Sequence, residues 1–362
     1  NSINVLRYLL QKLGYALLTL FGVVTVIFLL FNFLPGDPAR MMLGQNESEA
    51  QIAVVKKKYG FDKSLGKQYL LYLNDLSPLS FHSTDQDDYS FLSEGKYAAT
   101  RLFKVGSTQI VLKLPYLRES FQKNGKSVSA VIAETLPNTA ILAVSAIVIA
   151  MLLGIALGIL SVLFKDGFLD KLIQLVSTLG MSVPSFFSAI IFAWLFGFVL
   201  NEYTHLNMTG SLYEVDDFGE GKYLQWKNLI LPAIVLGIRP LAVVTQLMRN
   251  SLLEVLSQDY IRTAKAKGLT FAKIIRKHAL KNSLNPVVTA ISGWFASMLA
   301  GAVFVEYIFG WNGLGKEIVD ALNTLDLPII MGAVLVIATL FILINIFVDI
   351  IYGWLDPKIR TQ

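Results

Sequence analysis

Six stretches of this chain, 13–33, 135–164, 172–200, 229–248, 287–309 and 328–352, are each a run of mainly apolar residues. Each has the roughly 20 residues that an α-helix needs to cross the hydrocarbon core of a bilayer. Hydrocarbon offers no partner to an unpaired N–H or C=O, so such runs must become helices. The expected fold class is therefore an all-α polytopic membrane protein with six spans, the longer ones tilted. Composition agrees, with 54% hydrophobic and only 16% charged residues among 362, too much apolar surface for a soluble domain to hide. The first run follows Arg7 and Lys12 as in a signal peptide. It is too long for the apolar part of one and lacks a small-residue cleavage site, so it reads as a retained anchor.

Basic residues in short loops mark the cytoplasmic side. Lys165 and Lys171 lie between spans two and three, Arg262, Lys265, Lys267, Lys273, Arg276, Lys277 and Lys281 between four and five, and Lys358 and Arg360 in the tail. All fall on the side of the N-terminus, whereas the loop 201–226 is acidic, with Glu202, Glu214, Asp216, Asp217 and Glu220, and belongs outside. Both termini are expected in the cytoplasm. The net charge of +5 follows from this loop bias and gives no reason to expect nucleic acid as a partner. The absence of cysteine excludes disulfides, thiolate metal sites and thiol nucleophiles.

The expected organisation is an N-terminal transmembrane helix at 1–34, an extracytoplasmic segment at 35–134, and a core of five spans at 135–362 with a cytoplasmic loop at 251–285. The outer segment begins with an amphipathic helix at 48–59, continues through a turn-rich stretch at 77–94, and includes the β-prone run STQIVLKL, so a small mixed insert is expected. No internal or inverted repeat is visible.

The loop between spans four and five contains SQDYIRTAKAKGLTFAKIIRKHALKNSLNP. Ser257 suits a helix N-cap, Asp259 a first turn, Lys265 and Lys267 a last turn, and Gly268 the left-handed position after it. Thr270 can cap a second helix, in which Phe271, Ile274, Ile275 and His278 form a stripe opposite Lys273, Arg276 and Lys277. Two helices this short have little stability alone. From the residues by themselves, two readings stand side by side: a loop that fixes topology or lies on anionic lipid, and a device that docks on another protein.

The run DYIRTAKAKGLTFAKIIRKHALKNSLNPVVT resembles the EAA loop of permease subunits in the dipeptide, oligopeptide and nickel family of ABC importers. FLPGDPA, SVPSFF, LILPA, SLLEVLSQDYIRTAKAKGL, VFVEYIFGWNGLG and LDPKIR resemble further family landmarks in the same order, those of the first permease subunit. The resemblance implies the type I importer permease fold, enlarged here by the insert after the first span. It implies that Arg262, Thr263 and Ala264 stand at the E-A-A positions and Gly268 at the loop glycine, with Tyr260, Lys267 and Leu269 completing the surface that couples to the ATPase. It further implies a second homologous permease, two ATPase subunits that carry ATP and magnesium, an extracytoplasmic solute-binding protein, a bacterial cytoplasmic membrane, and peptides or related solutes as cargo. Arg262 stands where the wider importer pattern has glutamate and Lys281 where it has proline. The insert at 75–126 is longer than the family expectation and reads NDLSPLS in place of a GDLG-like string.

Two spans offer candidates for the translocation path. The fifth places Thr289, Gly293, Ala296, Ala300 and Gly301 on one face beside Ser292 and Ser297, and the third carries Ser177, Met181, Pro184, Ser185 and Ser188. Small and hydroxylated residues can line a wet path or simply let helices pack closely; Pro184 should kink its helix. Gly154 and Gly158 form a GxxxG read as packing. Arg239, inside the fourth span, must face the protein interior or a wet cavity, where it can pair within the bundle, snorkel or meet a substrate carboxylate.

Other chemistry is poorly supported. Gly310, Gly315 and Lys316 spell GxxxxGK, but Glu317 replaces the magnesium-binding Ser/Thr and no strand precedes it, so nucleotide binding is not expected. His82, His205 and His278 are scattered and no catalytic motif occurs, so no catalytic residue, metal or cofactor is expected in this chain. The alternative of a different class is a stand-alone channel or ion-driven carrier, which would need a charged pair inside the bilayer.

Overall fold

The computed structural model describes residues 2–33, 37–43, 48–93, 96–123, 125–215, 219 and 221–355. Four helices among them are long and apolar enough to cross a membrane, and two bent helix pairs raise the number to six if each pair counts as one span. The chain divides into two compact units, Asn1–Glu134 with Asp320–Thr339, and Thr135–Val319 with Leu340–Gln362.

In the first unit the opening apolar run is one helix, α1 (Ser2–Phe33), followed by α2 (Pro38–Leu43), α3 (Glu49–Tyr59) and α4 (Leu65–Leu76). The start of α3 is a capping box, in which the Ser48 hydroxyl accepts from Gln51 N at 3.3 Å and Gln51 Oε1 accepts from Ser48 N at 2.9 Å. Strands β1 (Leu79–Ser83), β2 (Ala99–Val105) and β3 (Thr108–Lys113) form an antiparallel sheet in the order β1-β3-β2. The β-prone run STQIVLKL supplies β3, with Val111 fully buried.

Asp75, 1% exposed, ties α4 to the segments that flank this sheet: its carboxylate accepts from Tyr89 Oη at 2.8 Å, Tyr97 Oη at 3.2 Å and Arg118 Nε at 3.0 Å. Lys96 sits 3.7 Å over the Tyr89 ring, and burial pushes its ammonium down from 10.5 to about 8. Between about pH 8 and 10 the unfolded chain holds a proton that the folded one has released, so Lys96 makes stability rise with pH there. The buried tyrosines, such as Tyr72 at about 12, oppose this only above about pH 10. Thermal unfolding of wild type and Lys96→Met across that window should show a positive pH slope that the variant flattens. Farther along, Asp326 accepts from Phe121 N at 3.0 Å, Gln122 N at 3.2 Å and the Ser120 hydroxyl.

The second unit holds most of α5 (Val128–Leu163), then α6 (Phe168–Ser182), α7 (Ser185–Trp194) with a π-helical turn Leu195–Val199, α8 (Asn201–Thr204), and a hairpin of β4 (Tyr213–Val215) and β5 (Lys222–Leu224). Next come α9 (Lys227–Leu256), α10 (Asp259–Ala266), α11 (Phe271–Ile274), a π-helical turn Ile275–Ala279, α12 (Leu280–Gly301) and α13 (Val303–Phe309). Helices α14 (Leu314–Thr324) and α15 (Leu327–Leu355) close the chain. Of the acidic loop 201–226, Asp216, Asp217 and Glu220 lie outside the described residues, as do Lys358 and Arg360 of the tail.

The GxxxG of α5 is a packing surface against α9. A Cβ on Gly154 would stand 2.7 Å from Val244 Cγ1, and one on Gly158 2.6 Å from Met248 Cβ. Gly237 returns the approach, since a Cβ there would meet Ala146 O at 2.9 Å. Gly154→Val and Gly158→Val should each lower the stability of the purified chain by about 1–3 kcal/mol, the cost of overpacking, measured by thermal unfolding in detergent.

The third apolar run departs from the expected single kinked helix. Helices α6 and α7 meet at 111° because Val183 and Pro184 are both extended, with ψ of 130° and 140°. A proline kink keeps the helix on both sides of one lost hydrogen bond; two extended residues turn the chain instead. The fifth run is bent less, by 58°, between Phe271–Leu299 and Val303–Phe309.

Candidate functional site

The loop after α9 begins differently from the expectation. Ser257 is not an N-cap: α9 stays helical to Leu256, and the Ser257 hydroxyl donates back to Glu254 O at 2.7 Å. Gln258 precedes α10 in extended conformation, without a side-chain cap. At the other end Gly268 is left-handed, with φ +75°, and its N–H reaches Lys265 O at 2.9 Å, the turn that its position in the sequence suggested. Thr270 stands at the N-cap position of α11, again without a side-chain bond. The second helix is not a free short piece, because α11 runs through the π-helical turn into α12.

Anchoring and display are divided between the faces of α10. Ile261 and Ala264 are buried with Ile274, Ala279, Met248 and Leu252.

Leu269 closes the buried side of the turn by packing against that cluster. On the opposite side Tyr260, Arg262, Thr263, Lys267 and Gly268 are exposed, together with Lys265, Lys273, Arg276 and Lys277. Two of their bonds are local, Arg262 pairing with Asp259 at 3.3 Å and Thr263 donating to Asp259 O at 3.1 Å, and one reaches α12, where Asn282 Nδ2 donates to Tyr260 Oη at 2.9 Å. Of the expected coupling residues, Ala264 and Leu269 therefore face inward and hold the helix, while the other five form a basic surface. His278 is half-buried on the helix face.

The path candidates separate into two groups. Ser185, Ser188, Arg239 and Ser297 line one cavity of about 200 Å³, with Gly180, Val183, Ile238, Pro240, Trp294 and Met298. Pro184 makes the helix break beside it. Ser177 is buried within α6, and Thr289 and Ser292 bond back to their own helix, to Asn285 O at 3.0 Å and Val288 O at 2.7 Å. None of these three lines the cavity. The side chains of Ala296 and Ala300 are not among those described.

Ten residues beyond Arg239 on α9, Arg249 makes an ion pair that the sequence reading missed. Its Nε and Nη2 each lie 2.8 Å from an oxygen of Asp170, whose side chain is 1% exposed. Asp170 also accepts from Asp166 N at 3.0 Å, Gln174 Nε2 at 3.0 Å and the Ser161 hydroxyl. Helices α5, α6 and α9 are thereby clamped at one point, just before α9 leads into α10.

Residues 150–361 match the family model described as the binding-protein-dependent transport system inner membrane component, and residues 5–86 match the N-terminal membrane component of such systems. The chain belongs to this family of transport-system inner membrane components. Among its relatives, the dipeptide transport system permease protein DppB of Alkalihalophilus pseudofirmus is 32% identical over 368 residues, covering 98% of this chain and 99% of the relative. The di/tripeptide transport system permease protein DppB of Pseudomonas aeruginosa is 33% identical over 371 residues, covering 99% of each. The dipeptide transport system permease protein DppB of Escherichia coli K12 is 32% identical over 380 residues, again covering 99% of each. The inward-facing MetNI methionine ABC transporter aligns with a TM-score of 0.47 at 16% identity, over 64% of this chain and 97% of that one.

As an ABC permease of this family, the chain is a multi-pass inner-membrane protein with the type I permease fold, and the family's ATPase is a separate subunit. Its landmark VFVEYIFGWNGLG forms α13 and the start of α14, where Glu306 is fully buried and accepts from Gly315 N at 2.7 Å and Lys316 N at 3.1 Å. The GxxxxGK resemblance thus falls on a carboxylate-capped helix start. The landmarks FLPGDPA, in part, and LDPKIR, from Asp356 onward, lie outside the described residues.

Proposed function

We propose that this chain is the permease subunit of an ATP-driven importer for dipeptides, oligopeptides or related small solutes in a bacterial cytoplasmic membrane. It assembles with a second homologous permease, two ATPase subunits that hold ATP and magnesium, and an extracytoplasmic solute-binding protein. Both termini and the loop 251–285 face the cytoplasm; the segment 35–134, with its mixed insert, faces outward, and 135–362 forms the permease core. The chain itself hydrolyses nothing.

What supports this reading most is the construction of α10, whose inner face is buried in one cluster with residues of α9, α11 and α12 while its outer face and the left-handed turn at Gly268 are exposed and basic. Tyr260, Arg262, Thr263, Lys267 and Gly268 meet the ATPase, and Ala264 and Leu269 pass its movement into the bundle. A push on α10 moves packed helices as a body, and the Arg239 cavity lies among those same helices. Ser177, Pro184, Ser185 and Ser188 on the third span and Thr289, Ser292 and Ser297 on the fifth mark the two faces that border the path, and Arg239 joins them from the fourth.

Reconstitution tests the reading. Vesicles containing the full set of subunits should accumulate labelled dipeptide only with ATP and the binding protein. Accumulation by this chain alone would instead identify a carrier or channel.

A further inference from the structure

Arg239 and Arg249 share one helix and have opposite surroundings. Arg249 is held by the Asp170 carboxylate. Arg239 is exposed, has no carboxylate within ion-pair reach among the described residues, and has its guanidinium carbon 5.7 Å from the centre of the Trp294 ring. A guanidinium stays charged at any physiological pH, and inside a bilayer it must face protein or water. Here it faces a cavity of about 200 Å³ that also collects Ser185, Ser188 and Ser297.

A second observation concerns the same cavity. Helix α7, ten residues long, begins there at Ser185, directly after the 111° break. Phe187 N and Ser188 N are satisfied by Pro184 O at 3.1 and 3.2 Å, which leaves the N–H groups of Ser185 and Phe186 without an intrahelical acceptor. The N-terminus of a broken helix carries partial positive charge, and transporters direct such ends at anionic substrate groups. A permanent cation, an open helix N-terminus and three hydroxyls together specify an anion with several acceptor lone pairs. A carboxylate fits the planar donor fork of arginine, and the volume suits the end of a short peptide better than a whole oligopeptide.

Resting on the importer reading above, we propose that this cavity is a carboxylate station in the path: Arg239, with Ser185, Ser188 and Ser297, holds the C-terminal carboxylate of a passing peptide. The permease then selects its cargo independently of the binding protein. An uncharged C-terminal amide forfeits the charge-assisted bonds, whose usual worth corresponds to about tenfold or more in affinity.

The test uses the assembled permease–ATPase complex in nanodiscs, without binding protein. Displacement of radiolabelled dialanine is compared for dialanine and dialanine amide. In wild type the free acid should compete at least about tenfold better; Arg239→Gln should close the gap and Arg239→Lys should restore most of it. Equal competition in wild type, no saturable binding, or a gap that survives Arg239→Gln would overturn the station. ATP-driven uptake by the full wild-type assembly is measured in parallel. Uptake without a gap rejects the station alone, whereas no uptake of dialanine rejects the importer reading and the station with it.

Discussion

Asp170→Ala should destabilise the second unit by about 3–5 kcal/mol, because it leaves the Arg249 guanidinium nearly buried and without its counter-charge. The side chains are 1% and 15% exposed and meet through two bonds of 2.8 Å, so solvent can replace little of what is lost. Asp166 N, Gln174 and the Ser161 hydroxyl lose an acceptor at the same time. Replacing both members by apolar residues, Asp170→Leu with Arg249→Met, removes the stranded charge and should recover most of the loss. Thermal unfolding of the purified chain in detergent, run as a double-mutant cycle, measures both effects. A single variant within about 1 kcal/mol of wild type would mean that the pair contributes no more than an exposed one.

The second large effect belongs to Gly268. A Cβ there would meet nothing within 4 Å, so within the chain a side chain costs only the left-handed backbone, about 1–2 kcal/mol. Gly268→Ala and Gly268→Arg should therefore lower stability by similar amounts. Their effects on assembly should differ sharply: alanine retains attached ATPase, while arginine, projecting from the exposed turn, displaces it and reduces uptake by more than about tenfold, or 1.4 kcal/mol in coupling. Quantifying co-purified ATPase beside uptake separates the two costs. Equal retention by both variants would place the ATPase contact elsewhere.

What could be read from the sequence was whatever depends on near neighbours. The cap of α3 needs only Ser48 and Gln51 three residues apart, and the turn after α10 needs only a glycine where the backbone must go left-handed. The apolar runs were equally legible, because their length alone commits them to helices. Backbone continuity was not: an apolar run looks the same whether Pro184 kinks one helix or separates two. The residue before a proline is driven toward extended conformation, and that signal at Val183 pointed to the break. Ser257 was misplaced for a related reason, since a serine near a helix boundary caps the next helix or bonds back into the previous one with equal ease. Arg249 and Asp170 are 79 residues apart, and nothing local announces their pairing. The gathering of Arg239 with Ser185, Ser188 and Ser297 is likewise a product of packing; each residue was a reasonable candidate, but their common cavity was not visible before the helices were placed.

Because the chain contains no cysteine, a single Lys267→Cys reports on the exposed face beside Gly268 without background. In sealed vesicles of known orientation, a membrane-impermeant maleimide should label it only from the cytoplasmic face, and bound ATPase should shield it. Labelling from the external face, or labelling that ignores the ATPase, would contradict the claim that this turn is where the transporter is driven.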